Sequence, residues 1–331
     1  MKKNVEPQAK SRLLSGEKFK EYLIIKGYSS KSIDSIMIAV NYFLSWCEQE
    51  NINDIIEITH NDIMAYIQYQ NIRGVCKKTV ALYVRHIEKY FSFLQSENEV
   101  TDNPCSNIKI KGIKRKVLHD ILKPEELEKL YEDYTTEITI TKTETIKAPP
   151  PQQLNTLARK RNKVILGLII YQGVRSKEII QLQISDVKLK EGKIFIAGAR
   201  RSNERTLKLE SHQLYDMLDY INDTRKQILQ HRKSSPAGGT ERGLQELFMT
   251  INKGVNLKNA LSLLVQQLRK INNKIKNVEQ LRASVIVHWL QQYNLRKVQI
   301  MAGHRYVSST ESYKANNMEE LKEDIKNYHP F

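Results

Sequence analysis

The sequence predicts a mostly α-helical (α+β) protein of two domains, a helical N-terminal domain and a mainly helical second domain with a small antiparallel β-sheet. Apolar residues recur at helical spacing through residues 16–98. A basic stretch without periodicity follows around residues 112–120, and a β-type pattern occupies residues 192–210. A chain of 331 residues is also longer than one small core needs, which favours two domains.

Four helices are expected in the N-terminal domain. Their sequences are EKFKEYLIIKGY, SSKSIDSIMIAVNYFLSWCEQE, THNDIMAYIQYQ and VCKKTVALYVRHIEKYFSFLQSE. The first ends at Gly27, a serine is available to cap the second, and Thr59 or Asn61 can cap the third. Residues 1–14 are polar, and we expect them to form a flexible tail. The helical domain is therefore expected over residues 15–111.

Two groups of basic residues accompany this domain. They are Lys77, Lys78 and Arg85 in the fourth helix, and Lys114, Arg115 and Lys116 in the predicted linker, residues 112–120. The helix cations fit either a solvated face or a surface that faces phosphates, and the linker fits either a soluble connector or a segment that wraps an anion. Because the chain has a formal net charge of +16 and a pI near 9.5, we predict that both groups contact nucleic acid.

The second domain is expected over residues 121–331. KPEELEKLYEDY begins it as a helix with Pro124 at an early position. Residues 135–151 interrupt the helical pattern and fit either a short hairpin or an exposed loop, and GKIFIAGARRSNERTLKLE predicts a hairpin around a polar turn. The remaining predictions are helices at about 257–273, 280–293, 295–301 and 317–328, and a loop at 233–243.

Composition excludes several classes of protein. Cys47, Cys76 and Cys105 are odd in number and widely spaced, which fits neither a disulfide framework nor a zinc site. No stretch approaches the roughly 20 apolar residues needed to span a bilayer, and no apolar segment follows the basic start of the chain. We therefore expect a cytoplasmic protein without a membrane partner or a bound metal.

Four residues supply the chemistry for attack on a phosphodiester. Tyr313 lies nine residues after His304, and Arg175 and Arg282 lie upstream. A tyrosine hydroxyl can act as an oxygen nucleophile, guanidiniums bind phosphate oxygens in a bidentate manner, and an imidazole can donate a hydrogen bond to them. Arg175 also lies at a predicted helix start, where a cation opposes the helix dipole and favours an anionic partner.

The contexts of these residues resemble the tyrosine recombinases, the phage-integrase family of site-specific DNA recombinases. GVRSKEIIQLQISDV resembles the first arginine box, with Glu178, Leu182 and Asp186 at the expected offsets. LRASVIVHWL resembles the second arginine box, and GHRYVSSTESY resembles the closing box, in which the tyrosine follows the histidine by nine residues. The resemblance covers nearly the whole chain, as a core-binding N-terminal domain, a basic linker and a C-terminal catalytic domain.

The resemblance implies a reaction. Tyr313 would attack the scissile phosphate, form a 3′-phosphotyrosyl bond and release a 5′-hydroxyl, without metal, ATP or another cofactor. Arg175 and Arg282 would hold the non-bridging oxygens, and His304 would donate a hydrogen bond to the same phosphate. Tyr306 lies only two residues after His304, too close for the family spacing, so Tyr313 is the expected nucleophile.

The resemblance also implies partners. The expected partner is double-stranded DNA in a prokaryotic cell or on a mobile element, with a homotetramer bound to two synapsed duplexes. Residues 317–328 would form a tail helix that docks either on a neighbouring protomer or on its own domain. No long segment precedes residue 14, so we expect no separate arm-binding domain, which favours integration, excision or transposition of a simple mobile element.

Two positions depart from the family pattern. Glu279 occupies a position where the family usually has histidine or lysine, and it either points away from the phosphate or acts as a weak base toward the tyrosine. The hairpin lysine of the family falls here on Arg200 or Arg201, whose pKa is too high for an easy general acid. Lys193 or Lys208 could take that task from a neighbouring strand position.

These departures leave two other functions open. A type IB topoisomerase-like enzyme would use the same chemistry on one duplex, and a catalytically impaired accessory protein of the same fold would bind DNA without cutting it. The separate helical domain, the linker and the tail favour recombination. A purely architectural DNA-binding protein would explain the charge but not the three boxes.

Overall fold

The computed structural model describes residues 7–52, 54–112, 120–136, 151–199, 202–234, 245–252 and 255–314. The described chain is mostly helical with one small antiparallel sheet, so the predicted fold class is confirmed. It divides into two compact units, Met1–Val117 and Leu118–Phe331. None of the described helices is long and apolar enough to cross a membrane. The tail helix predicted at 317–328 lies outside the described residues, as do most of the segments 112–120, 135–151 and 233–243.

The N-terminal unit contains the four helices that the sequence predicts. They are α1 (Pro7–Ile25), α2 (Ser30–Gln49), α3 (His60–Ile72) and α4 (Lys77–Ser96). Helix α1 begins inside the segment 1–14 that is predicted to be a flexible tail. Pro7 stands at its first position, where proline loses no helical hydrogen bond, and the following alanine, lysine, arginine and leucine residues favour helix.

Local side-chain contacts set where these helices begin and end. The Ser29 side chain accepts a hydrogen bond from the Ser32 backbone N–H and caps α2. At the start of α3 the Asp62 carboxylate accepts a hydrogen bond from the Thr59 backbone N–H at 2.8 Å, so Thr59 rather than Asn61 is the N-cap. Gly27, with φ +76°, ends the first helical segment as predicted.

An aromatic core fills the N-terminal unit. Phe43 of α2 lies edge-on to Tyr66 of α3, with 5.2 Å between ring centroids, and 6.2 Å from Phe91 of α4. Phe19 of α1 contacts Tyr90 of α4 at 5.1 Å. Because each ring buries a large apolar area, about 150–250 Å², contacts of this kind hold all four helices around one core.

The second unit is a helical layer around a short sheet. Its helices are α5 (Pro124–Glu132), α6 (Pro151–Ile170), α7 (Ser176–Gln181), α8 (Ser211–Asp219), α9 (Arg225–Ser234), α10 (Leu257–Ile271), α11 (Val278–Gln292) and α12 (Leu295–Ala302). A π-helical turn, Tyr220–Thr224, joins α8 to α9, and residues 307–314 are also helical. Helices α10 to α12 match the predicted ranges within about two residues, the usual uncertainty of helix ends.

The sheet contains the predicted hairpin and one short extra strand. Strands β1 (Val187–Lys188), β2 (Lys193–Ile196) and β3 (Arg205–Lys208) are antiparallel in the order β1-β2-β3. In the register of β2 and β3, Lys193 pairs with Lys208 and Ile196 pairs with Arg205. The end of the hairpin that carries Arg205 is therefore the end that faces its turn, residues 197–204.

Candidate active site

Arg175 lies at the N-cap of α7, where the chain leaves helix α6. The preceding Gly173 has φ +56°, a left-handed conformation that glycine adopts without strain. The Arg175 backbone N–H donates a hydrogen bond to Glu178 Oε2 at 2.9 Å, which fixes the start of α7. The Arg175 side chain is 29% exposed, so it is partly open to solvent.

Arg282 lies at the centre of the second unit on α11, whose positions 280–287 are all buried. Its Nη1 donates to the Gly173 backbone oxygen, and its Nη2 donates to the Ala302 backbone oxygen at 2.7 Å. Its Nε has no hydrogen-bond partner among the described residues. Burial, with the charge of Arg175, lowers the pKa of Arg282 to about 10, so the guanidinium remains cationic at neutral pH.

His304 is held between Arg282 and Thr310. It follows Gly303, which ends α12 in the left-handed conformation with φ +66°. His304 Nε2 lies 3.3 Å from Arg282 Nη2, and Nδ1 lies 2.9 Å from Thr310 Oγ1. Because a guanidinium can only donate, Nε2 accepts this bond and Nδ1 carries the proton of the neutral ring. Burial and the nearby arginines lower the pKa of His304 to about 3, so the imidazole is neutral at pH 7.

The neutral state of His304 makes the stability of this unit depend on pH. Its folded-state pKa of about 3 lies below the ordinary value of 6.5, so the unfolded chain binds a proton first as the pH falls. The stabilisation is complete above about pH 6.5 and is lost toward pH 3, at up to about 1.4 kcal/mol per pH unit. We expect His304→Asn to flatten the pH dependence of the unfolding free energy between about pH 4.5 and 6.5, measured by denaturant titration.

The matched control for this prediction is His212→Asn, because His212 is exposed on α8. That variant removes a histidine outside the site and leaves the contacts of His304 in place, so it controls for the loss of an imidazole. A parent-like slope in His304→Asn would contradict the assignment of a neutral, buried imidazole.

Tyr313 lies on the helical segment 307–314, with its ring parallel to that of His304. The two ring centroids are 5.7 Å apart and the planes meet at 11°. Burial raises the pKa of Tyr313 above its ordinary value, and Glu279 adds to the rise, while Arg282 and Arg175 oppose it. Glu279 itself is exposed in the first turn of α11 and acts on the tyrosine through its charge. This carboxylate therefore makes ionisation of Tyr313 harder.

Glu178 and Arg205 form a buried ion pair beside these residues. Arg205 Nη1 and Nη2 donate to Glu178 Oε1 and Oε2 at 3.0 and 2.8 Å. Burial alone would raise the pKa of Glu178, but the hydrogen bonds and charge of Arg205 outweigh burial and hold that pKa below its ordinary value. Glu178 is therefore a carboxylate with two firm contacts to one guanidinium.

The hairpin turn connects this ion pair to His304. Ser202 and His304 form an antiparallel bridge, and the Asn203 backbone N–H donates to the Gly303 oxygen at 3.1 Å. Arg200 and Arg201 lie outside the described residues, although their neighbours Ala199 and Ser202 pair with each other.

The structure does not bring Lys193 or Lys208 to His304. They pair with each other at the end of the hairpin away from the turn, and Lys193 Nζ contacts Glu191 at 3.3 Å. Lys208 lies three residues beyond Arg205, roughly 10 Å along the strand at about 3.3 Å per residue. The alternative that either lysine serves the hairpin position is therefore not supported by the geometry.

Two residues of this cluster are absent from the sequence-based candidates. Arg205 lies on the buried face of β3, where positions alternate between buried and exposed. An arginine on the inward face of an amphipathic strand is a sequence signal for a buried ion pair. Thr310 is fully buried against the histidine, and its only signal is its position between His304 and Tyr313.

The predicted DNA-contacting residues of α4 are exposed. Lys77, Lys78 and Arg85 all lie at the surface of the N-terminal unit. Lys78, Leu82 and Arg85 follow the spacing i, i+4 and i+7 and therefore share one face of the helix. Lys114, Arg115 and Lys116 lie outside the described residues.

The cluster is suited to binding an anion and attacking it with an oxygen. Three guanidiniums converge, and two of them, Arg282 and Arg205, carry a buried Nε without a hydrogen-bond partner among the described residues. A buried N–H donor without a partner is costly, and an anionic oxygen can satisfy it. Within the described ranges, no group of three or more His, Cys, Asp or Glu side chains is arranged to hold a metal ion.

Comparison with known proteins agrees with this geometry. The model of the phage integrase family matches residues 145–320, and that of the phage integrase N-terminal SAM-like domain matches residues 17–98. The chain belongs to the phage integrase family. Relatives of this chain are named tyrosine recombinases, and the chain is a site-specific recombinase of that enzyme class.

Relatives and solved structures span nearly the whole chain. The tyrosine recombinase XerC of Bacillus pumilus is 24% identical over 317 residues, covering 94% of this chain and 95% of the relative. Tyrosine recombinase XerD of Oceanobacillus iheyensis is 27% identical over 279 residues, covering 83% of each. A structure of the XerH recombinase bound to palindromic difH DNA shares the fold, with TM-score 0.61, 19% identity and coverage of 98% of this chain and 97% of that one.

Proposed function

We propose that this chain cuts and rejoins double-stranded DNA at specific sites, with Tyr313 as the nucleophile. The observation that carries the proposal is the stacking of Tyr313 on His304, which itself contacts the buried Arg282 guanidinium. A tyrosine hydroxyl is thereby held beside cations that can bind a phosphodiester. The relatives named as recombinases and the structure of XerH with DNA support the same reaction class.

In the proposed reaction, Tyr313 Oη attacks the scissile phosphorus, and a phosphorus–oxygen bond to tyrosine forms as the bond to the 5′-oxygen breaks. The tyrosine loses a proton and the departing 5′-oxygen gains one, so protons balance. The product is a 3′-phosphotyrosyl bond, which the 5′-hydroxyl of a second strand can attack in reverse. Because the ester keeps the bond energy, the cycle needs no nucleotide cofactor.

The arginines of the two arginine boxes, Arg175 and Arg282, differ in how deeply they are buried, and each would contact the phosphate in its own way. Arg175 is partly exposed and can meet a DNA phosphate first, whereas Arg282 is fully buried. Both would stabilise charge on the non-bridging oxygens as the transition state forms. When a phosphate oxygen takes the Arg282 Nη2 hydrogen bond, His304 Nε2 loses the donor that it accepts from. Thr310 can then donate to Nδ1 instead of accepting, which lets Nε2 carry the proton and donate to the phosphate.

The test uses sheared DNA of the source genome, converted to duplexes that carry nicks. When the protein cuts near a nick, the short cut strand diffuses away, so it cannot be rejoined and the covalent adduct is trapped. We expect the parent protein to form an adduct that survives detergent, and Tyr313→Phe to form none. Tyr306→Phe is the matched control, since Tyr306 is exposed and two residues from His304. Equal adduct from Tyr313→Phe would overturn the assignment, and none from the parent protein would favour an accessory DNA-binding role.

The basic face of α4 is proposed to contact the DNA backbone. We expect Lys78→Ala and Arg85→Ala each to weaken binding for all sequences and to reduce the salt dependence, the slope of log K against log[salt], by about 0.9 per lost phosphate contact. Mobility-shift titrations at several salt concentrations measure both quantities. Lys20→Ala, an exposed lysine of α1, is the control. An unchanged slope in both α4 variants would place the DNA elsewhere.

We further propose integration, excision or transposition of a mobile element as the biological role. The fold shared with the Tn1549 transposon integrase supports this role, with TM-score 0.60, 13% identity and coverage of 93% and 99% of the two chains. The relatives named tyrosine recombinase XerC and XerD support site-specific recombination without favouring this role over resolution of two sites on one circle. Plasmids carrying recovered sites test for integration, because integration joins two circles, whereas excision and resolution both only divide one. The homotetramer and the docking tail at 317–328 stay predictions.

A further inference from the structure

The carboxylate of Glu178 lies between two guanidiniums and contacts one of them far more closely. Its oxygens accept hydrogen bonds from Arg205 at 3.0 and 2.8 Å, whereas Arg175 Nη1 lies 3.9 Å from Oε1. Arg205 is nearly fully buried, while Arg175 keeps 29% of its side chain exposed. The more exposed of these two arginines, Arg175, is proposed to meet the DNA phosphate first.

We propose that Arg205 is a positioning residue that occupies the Glu178 carboxylate and so leaves the Arg175 guanidinium available for the phosphate. The inference rests on the proposed function, because it assigns how one residue of that site is kept ready. Arg205 acts through Glu178 and Arg175.

The reason is competition for a buried charge. Glu178 is needed in place because it accepts the hydrogen bond from the Arg175 backbone N–H that starts α7. A buried carboxylate without a cationic partner is strongly unfavourable, so it takes the nearest one available. With Arg205 removed, that partner is Arg175, three residues away on the same helical turn. Its guanidinium would then be engaged by a protein carboxylate rather than by DNA.

Arg205 is itself held in the place that this role requires. It pairs with Ile196 in the hairpin, and its Nη1 lies so close to Gly303 that a Cβ there would overlap it. The neighbouring Asn203 backbone N–H bonds the Gly303 oxygen, which fixes the hairpin against the His304 segment. A planar guanidinium binds the two carboxylate oxygens through two parallel N–H donors, a geometry that a lysine ammonium does not provide.

The test compares Arg205→Met with Glu178→Gln and with the double variant Glu178→Gln/Arg205→Met. The measurements are the single-turnover rate of adduct formation at Tyr313, the affinity for DNA, and thermal unfolding. We expect Arg205→Met to slow adduct formation by about 10²-fold. The double variant should recover to within about tenfold of the parent, because glutamine still accepts the Arg175 backbone bond but cannot capture its guanidinium.

A purely structural role of Arg205 predicts a different ranking of the adduct-formation rates of these variants. If Arg205 only stabilises the fold, the double variant is as slow as Arg205→Met or slower, and that result overturns the proposal. If Arg205→Met does not fold, Arg205→Lys replaces it, with a smaller loss that Glu178→Gln again relieves. Persistence of the loss in Glu178→Gln/Arg205→Lys likewise overturns the proposal.

A crystal structure of Arg205→Met, or of Arg205→Lys in its place, tests the inference without any reaction. We expect an Arg175 Nη atom within hydrogen-bond distance of a Glu178 oxygen, below about 3.2 Å. A separation that stays near 3.9 Å contradicts the competition. If the parent protein forms no adduct on any DNA, the proposed function fails, while this separation still decides whether Arg205 holds Glu178 away from Arg175.

Discussion

Replacement of Arg282 by lysine is expected to slow formation of the covalent protein–DNA adduct by about 10²–10³-fold. Arg282 bridges two backbone carbonyls, those of Gly173 and Ala302, and its Nε–H has no partner among the described residues. A lysine ammonium is a single point charge and cannot hold both carbonyls while also donating to a phosphate. The positive charge is kept, so the loss falls on the rate of cleavage.

The measurement is single-turnover adduct formation on a nicked duplex, with affinity for DNA determined alongside. Arg269→Lys is the matched control, because Arg269 also donates to two backbone carbonyls, those of Ile275 and Lys276. Arg282→Lys leaves a buried carbonyl without its donor, at about 1–3 kcal/mol, whereas in Arg269→Lys water can replace the donor because Arg269 is exposed. We expect only Arg282→Lys to lose activity. If Arg282→Lys forms the adduct at a rate within threefold of that of the parent protein, Arg282 does not take part in the reaction.

The helices and strands that the sequence predicts correctly are those set by local spacing. Helices α10, α11 and α12 follow from apolar periodicity and caps, and the β2–β3 hairpin follows from two β-type runs around a polar turn. His304 and Tyr313 lie nine residues apart across a helix end and a short turn, so a local pattern can mark both. The pattern of such elements can be read without knowledge of any long-range contact.

The parts that the sequence could not predict depend on contacts between distant elements. Glu178 on α7 and Arg205 on β3 are 27 residues apart, and nothing in either local pattern names the other as its partner. Strand β1 has two residues, too short to give an alternating pattern. The placement of Lys193 and Lys208 could not be predicted for the same reason, since the strand register decides which end of the hairpin meets His304.

Helix α11 illustrates how burial hides a periodic signal. Its positions 280–287 are all buried, so the helix has no solvent-facing polar side there. Its apolar residues therefore do not recur every three to four positions, as they do in a helix with one buried face. Arg282 stands out in this segment because a charged residue inside an otherwise apolar run must find partners in the interior. The sequence therefore marks Arg282 as functional or paired, and the structure adds that its partners are backbone carbonyls.

Replacement of Gly303 by alanine is expected to both destabilise the second unit and disable the cluster. Gly303 has φ +66°, which costs a residue with a Cβ about 1–2 kcal/mol. The added Cβ would also overlap Arg205 Nη1 and lie 3.0 Å from Arg205 Cζ and 3.1 Å from the Asn203 oxygen. To relieve this overlap, either Arg205 or the Gly303–His304 segment must move, which lowers the free energy of unfolding by about 1–3 kcal/mol more.

Gly192→Ala separates backbone strain from this crowding. Gly192 has a nearly identical φ of +62°, but a Cβ there would meet only Leu214, at an ordinary 3.7 Å. Both variants should be destabilised by the cost of placing a Cβ in the left-handed conformation. Only Gly303→Ala should also slow adduct formation, by about 10²-fold if Arg205 or the Gly303–His304 segment moves by about 1 Å. Thermal unfolding and single-turnover cleavage measure the two effects. Equal activity in the two variants would mean that Arg205 and His304 adjust without consequence, and that the close packing of the hairpin against Gly303 serves stability alone.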